Sequence, residues 1–266
     1  MSTLSITTIQ TNLFWEDKAA NLHMLENKIN GIKGAEVVVL PEMFSSGFSM
    51  RPEALAEPMD GPTVQWMKDT ASKNKIILTG SLMVAEDGNY YNRLIWMLPN
   101  GQMGYYDKRH LFAYAGEDAH YTAGQKRMIA RVKGWRILLL TCYDLRFPVW
   151  SRQQLHTDEN GHLQPEYDAI IYVANWPERR NHAWKTLLVA RAIENQCFVV
   201  GVNRVGNDGH NIYHSGDSML VNPMGEILYH NAHEENVSTV VLKKSDLITI
   251  REKLPFWKDG DSFFIQ

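Results

Sequence analysis

The 266 residues are 44% hydrophobic and carry a formal net charge of -3, with a pI near 6.4. That length and apolar content suffice for a single domain over residues 1–266 with a large core, and the near-balanced charge offers no basic face for nucleic acid or a membrane surface. No apolar run reaches membrane-spanning length, and Met1-Ser2-Thr3-Leu4-Ser5-Ile6 lacks a basic segment ahead of an apolar core, so a cytoplasmic protein is expected.

Leu4 to Gln10 alternates as a first strand, and Leu22, Leu25, Ile29 and Ile32 then recur at helical spacing within 16–32, ahead of Gly34. A strand from Ala35 to Leu40 completes a β-α-β unit, which generates parallel pairing. Asp60-Gly61-Pro62 opens a second helix running to about Lys73, with proline near the first helical position, where its missing N–H does no harm. Strand Lys75–Met83 follows, and Tyr90–Leu98 and Gln102–Tyr106 read as a hairpin around Pro99-Asn100-Gly101. From Arg109 to Gln125 no periodicity is visible, and a loop of that length with so many aromatics is expected to lie over a pocket. Lys133-Gly134 turns a hairpin into the strand that ends at Cys142. After Pro148, a helix is expected over Val149–Leu155, and Thr157-Asp158-Glu159-Asn160-Gly161 reads as a polar surface excursion. Strand Tyr167–Ala174, a helix over 178–196, strands Phe198–Asn203, Ser218–Asn222, Glu226–Tyr229 and Val237–Leu242, a short helix over 245–253 and an aromatic tail from Leu254 complete the chain. So many strands point to an α/β protein with two packed sheets covered by helices.

Three strand-like runs each deliver one reactive group at or just beyond their C-terminal end, the edge where such sheets carry sites. Val37-Val38-Val39-Leu40-Pro41 leads to Glu42, Tyr105-Tyr106-Asp107 to Lys108, and Leu138-Leu139-Leu140-Thr141 to Cys142. A thiol at the point where a strand yields to a tight turn is held rigidly and has the N–H of Tyr143 beside it as an oxyanion donor. Cys142 alone reads equally as a small buried hydrophobe, and Glu42 or Lys108 alone as a surface charge.

In this order and these contexts, Glu42, Lys108 and Cys142 resemble the Glu-Lys-Cys triad of the nitrilase superfamily of carbon–nitrogen hydrolases, a resemblance reaching from the first strand to about Leu242. It implies a four-layer α-β-β-α sandwich, hydrolysis of a small-molecule amide through a cysteine thioester, and self-association, commonly as a homodimer. It also implies a second glutamate after the lysine that orients it, for which Gly116-Glu117 is the counterpart. Glu42 then serves as base, first for the thiol and later for water, a neighbouring cation helps ionise Cys142, and Lys108 with the Tyr143 N–H holds the oxyanion.

Two further residues are candidates for substrate binding. The Arg146 guanidinium suits a carboxylate or braces the turn by pairing with Asp144 or a carbonyl. Trp176, just past a strand end, walls the pocket or sits in the core, and Phe44, Phe48, Phe112 and Tyr114 present the same choice. His210 and His214 sit about a turn sequence without cysteine partners, Cys197 reads as a core thiol, and no phosphate loop or dinucleotide fingerprint occurs, so neither metal nor cofactor is expected. The segments 108–112 and 142–152 look like the bacterial omega-amidase branch, whose members hydrolyse the terminal amide of 2-oxo acids such as 2-oxoglutaramate; Tyr143-Asp144 stands where true nitrilases place tryptophan and glutamate. An N-carbamoyl amino acid amidohydrolase is the alternative enzyme. A non-catalytic, thiol-reactive protein on the same fold is the alternative of another class.

Overall fold

In the computed structural model, residues 2–264 are described. Strand β1 (Thr3–Gln10), helix α1 (Lys18–Asn30) and strand β2 (Val37–Val39) open the chain, followed by α2 (Pro52–Leu55), α3 (Pro62–Asn74), β3 (Ile77–Glu86), β4 (Asn89–Met97) and β5 (Met103–Asp107). The middle of the chain holds α4 (Glu117–His120), β6 (Met128–Val132), β7 (Trp135–Thr141), α5 (Pro148–Ser151), β8 (Leu155–Thr157) and β9 (Leu163–Pro165). The last part comprises β10 (Ala169–Ala174), α6 (Asn181–Asn195), β11 (Phe198–Asn203), β12 (Val205–Asn207), β13 (Tyr213–Val221), β14 (Ile227–Ala232), β15 (Asn236–Lys243) and α7 (Lys244–Lys253).

Two sheets result. One runs β15-β1-β2-β3-β4-β5; the other runs β12-β13-β11-β10-β7-β6, with β14 also on β13. The β1-α1-β2 unit pairs in parallel as expected, Ile6 opposite Val37. Period-two alternation divides the core: Val37 and Val39 face the second sheet, joining Ile137, Leu139 and Tyr172, whereas Val38 and Leu40 pack with Leu25 and Ile29 of α1 and Met67 of α3. The far face of the second sheet takes Trp184, Leu188 and Ala192 of α6. Helices, sheet, sheet and helices therefore stack in four layers. Strands β10 and β11 are buried along their whole length, which is why their sequences run apolar without alternation.

One local expectation is corrected and others are made specific. The helix expected over Val149–Leu155 is a single turn ending at Ser151, because the Gln153 N–H is drawn to Asn195 Oδ1 at 2.9 Å and the chain turns away. The polar excursion is the turn of the β8–β9 hairpin, in which Asp158 Oδ1 accepts from the N–H groups of Asn160 and His162. The aperiodic loop contains a 3-10 turn, Ala113–Ala115, and α4, both too short to show a period. In the tail, the Trp257 N–H donates to Gln196 Oε1 at 3.0 Å, so the tail docks on its own chain there; Ile265 lies outside the described residues. Among the described residues, no helix is long and apolar enough to cross a membrane.

Candidate active site

Strand direction brings the three reactive groups together. Because β2 and β3 are parallel and β3-β4-β5 is antiparallel throughout, β5 runs with β2, so Glu42 and Lys108 emerge at one edge of the first sheet. Cys142 leaves β7 at the facing edge of the second sheet, as the first residue of a 3-10 helix, Cys142–Arg146, with φ +44°. A side chain in that left-handed region is strained and is held there by its surroundings.

Glu42 and Glu117 are fully buried and Lys108 is 1% exposed. Lys108 Nζ donates to Glu42 Oε1 at 2.9 Å and to Glu117 Oε1 and Oε2 at 3.0 and 2.8 Å. Asn92 Nδ2, on β4, donates to Glu42 Oε1 at 2.8 Å and Glu117 Oε1 at 3.2 Å. The Asn175 N–H, at the end of β10, donates to Glu42 Oε2 at 2.8 Å, and the Phe112 N–H to Glu117 Oε2 at 2.6 Å. A carboxylate offers about four acceptor sites. On Glu117 all are taken, two on each oxygen, whereas on Glu42 one site of Oε2 remains open. Glu42 is thus the carboxylate with room to receive a proton, and Glu117 is the one that fixes the ammonium.

Cys142 lines a cavity of about 230 Å³ together with Phe48, Phe112, Tyr143 and Trp176, and Arg146, Arg179 and Arg180 also line it. Arg146 lies over the Trp176 ring at 5.0 Å and Arg180 over Phe112 at 5.1 Å. Among the described residues, no carboxylate pairs with any of the three arginines. Asp144, one of the two partners considered for Arg146, is engaged elsewhere: it accepts from Tyr106 Oη at 2.7 Å, from the Thr141 N–H at 3.0 Å, and from the His110 N–H at 3.0 Å, with His110 Nδ1 at 2.8 Å. Trp176 is both wall and core: it lines the cavity at 3% exposure, and its indole N–H donates to the Arg180 carbonyl. Phe44 is core only, packed with Leu40 and Leu78.

The model of the carbon-nitrogen hydrolase family matches residues 5–252. The chain belongs to this family. It is 44% identical over 264 residues to the omega-amidase YafV of Escherichia coli, covering 99% of each chain. It is 33% identical over 230 residues to the 2-oxoglutaramate amidase of Bacillus subtilis, covering 85% of each. Among solved structures, a CN-hydrolase superfamily protein of Xanthomonas campestris, carrying an arsenic adduct in its active site, superposes with TM-score 0.96 at 41% identity over 100% of both chains. The chain is an amidase of the nitrilase superfamily, and its substrate is a small-molecule amide.

In this hydrolase, burial competes with the neighbouring charges. It would drive Lys108 toward the neutral amine, but the charges of Glu117 and Glu42 outweigh it and hold the ammonium well above the usual lysine range. Burial pushes the Glu117 carboxyl up; Lys108 offsets part of this, and the Glu42 charge adds to it. The Cys142 thiol is pushed well up, by burial first and by Glu42 second, against the pull of Lys108. The expected help of a neighbouring cation is present as the pull of Lys108, but burial and the Glu42 charge outweigh it, so a base has to take the thiol proton.

Sequence reasoning missed Asn92, Asn175, Arg179 and Arg180. Asn175 stands at a strand's C-terminal end in Asn175-Trp176-Pro177, the same signal that marked the other three residues. Asn92 lies inside β4 with no such mark. His214 lines the cavity from β13, with Nδ1 2.9 Å from the Ile212 carbonyl, and His210 packs against Trp15 instead; among the described residues, no group of His, Cys, Asp or Glu is arranged to hold a metal.

Proposed function

We propose that this chain is an omega-amidase, hydrolysing the terminal amide of 2-oxo acids such as 2-oxoglutaramate to the dicarboxylate and ammonia through a thioester on Cys142. The observation that carries the reading is a buried Glu42–Lys108–Glu117 cluster and a thiol lining a cavity whose wall bears arginines that, among the described residues, have no carboxylate partner. Such a cavity accepts a substrate with an uncharged amide at one end and a carboxylate at the other. The names of the Escherichia coli and Bacillus subtilis relatives support the same substrate class.

Glu42 takes the Cys142 proton at its open Oε2 site as the sulfur attacks the amide carbon. Charge develops on the carbonyl oxygen. Glu42 and the two Glu117 oxygens engage Lys108, but a single N–H shared by the Glu117 oxygens leaves one free for that oxyanion. The Tyr143 N–H, in the first turn of its helix, has no intrahelical acceptor and faces the same task. Each such donor is worth roughly 2.7–4 kcal/mol in the transition state. The protonated Glu42 then gives its proton to the leaving nitrogen, and ammonia departs. Glu42 next deprotonates water, which attacks the thioester and restores the thiol. Arg146, its planar cation backed by Trp176, binds the far carboxylate in two parallel hydrogen bonds. The reading also takes the protein as a cytoplasmic homodimer, for which Ile193, Met224, Ile227 and Leu228 supply exposed apolar surface.

Ammonia release from 2-oxoglutaramate, glutamine and an N-carbamoyl amino acid, by wild type and Cys142→Ala, tests the assignment. Turnover of the oxo-acid amide by wild type alone is expected. Preference for the carbamoyl compound would overturn the substrate, and no release from any would revive the thiol-reactive alternative.

A further inference from the structure

Asn92 stands out among the buried polar groups. It is fully buried, and its Nδ2 reaches Oε1 of both glutamates, the same two oxygens that Lys108 bridges from its own side. Its backbone carbonyl also accepts the Lys108 N–H at 3.0 Å, so one residue of β4 sets both the exit of the lysine from its strand and the spacing of the two acids. Its own Oδ1 is buried with no partner among the described residues. Flipping the amide would turn that oxygen onto two carboxylate oxygens, which have no proton to give when ionised. The neighbours therefore impose a single orientation, with both N–H bonds toward the acids. An apolar residue would fill the same volume without stranding an acceptor, so the asparagine is explained by what its N–H groups do.

Two carboxylates sharing one ammonium in a dry site are short of positive charge, and such pairs ordinarily take up a proton. We propose that Asn92 is a positioning residue, whose two N–H bonds keep Glu42 and Glu117 both ionised and leave Glu42 Oε2 open to the thiol. The inference rests on the reading of Glu42 as the base. The groups that face it are Glu42 beyond β2, Lys108 beyond β5, Glu117 on α4, the Cys142 thiol and the Tyr121 phenol. Burial, with the Glu117 charge second, holds that phenol above the ordinary tyrosine range, so it stays neutral. Loss of the amide donors removes stabilisation from the charged form of the paired acids, so activity is expected to fail sooner on the acid side.

The test is kcat/KM for 2-oxoglutaramate from pH 5 to 9 in wild type, Asn92→Leu and the near-isosteric Asn92→Asp, beside Glu42→Gln. The acid limb is expected to move up by about one pH unit in both Asn92 variants, a tenfold loss at its foot that recovers as pH rises, with KM within about threefold. The pH dependence of Cys142 alkylation by iodoacetamide should move the same way, and it gives a readout without substrate. Activity lowered by one factor at every pH, or an acid limb that stays in place while Glu42→Gln is inactive, would overturn the role of Asn92 alone. An active Glu42→Gln would overturn the base assignment and this inference with it.

Discussion

Tyr106→Phe removes a single oxygen that ties the lysine strand to the nucleophile turn. Tyr106 Oη donates to Asp144 Oδ2 at 2.7 Å and accepts from Trp150 Nε1 at 2.9 Å and from the Arg109 N–H at 3.1 Å. Its burial, with the Asp144 charge second, keeps it a neutral phenol far above its ordinary range, so the donor is present at every working pH. Phenylalanine leaves the buried indole N–H of Trp150 unpaired, at roughly 1–3 kcal/mol, and takes one charge-assisted bond from buried Asp144, at about 1.5–3 kcal/mol; the half-buried Arg109 N–H finds water. The expected loss is about 3–5 kcal/mol in urea unfolding followed by tryptophan fluorescence at pH 7, against a change within about 0.5 kcal/mol for Tyr105→Phe, whose ring is 46% exposed. A loss below about 1 kcal/mol for Tyr106→Phe would refute the claim that this network joins the two sheets at the site.

Two further outcomes are expected. Arg146→Ala should raise KM for 2-oxoglutaramate by about 10- to 100-fold, the loss of a charge-assisted contact, and leave a neutral amide of similar size unaffected; equal losses on both would show that Arg146 braces the turn. His214, buried and beside Arg204, has its pKa lowered to about 4. Between the unfolded value near 6.5 and that folded value only the unfolded chain binds the proton, so stability present above 6.5 is lost as pH falls, by about 3 kcal/mol in all. His214→Gln should lose correspondingly less in urea unfolding between pH 6.5 and 4; parallel losses would show that His214 is not the group responsible.

What the sequence disclosed follows from where the information is local. Glu42, Lys108 and Cys142 each follow a strand-like apolar or aromatic run, and the residue after such a run is legible without knowing what the run packs against. The structure brings all three, with Glu117, to one place. The two packed sheets were legible as well, from strands too numerous for one sheet with two helical faces. Asn92 was hidden because its work is done across the sheet, toward residues 50 positions before it and 25 after it. Arg180 was hidden in a polar run that reads as a helix start and is a 3-10 turn before α6. The balance at Cys142 needed the structure for a related reason: Lys108 does pull toward thiolate, but it is shared between two carboxylates, and burial with the Glu42 charge pushes the other way.

The central claim is that Cys142 carries the acyl group of an oxo-acid amide while Glu42 moves the protons. Intact-mass spectrometry of the enzyme quenched in acid during turnover of 2-oxoglutaramate tests it most directly. The account predicts a transient mass increase of one 2-oxoglutaryl group, mapped to the peptide containing Cys142, absent from Cys142→Ala and from Glu42→Gln. Ammonia release by wild type with no adduct on that peptide, or an adduct on any other residue, would contradict it.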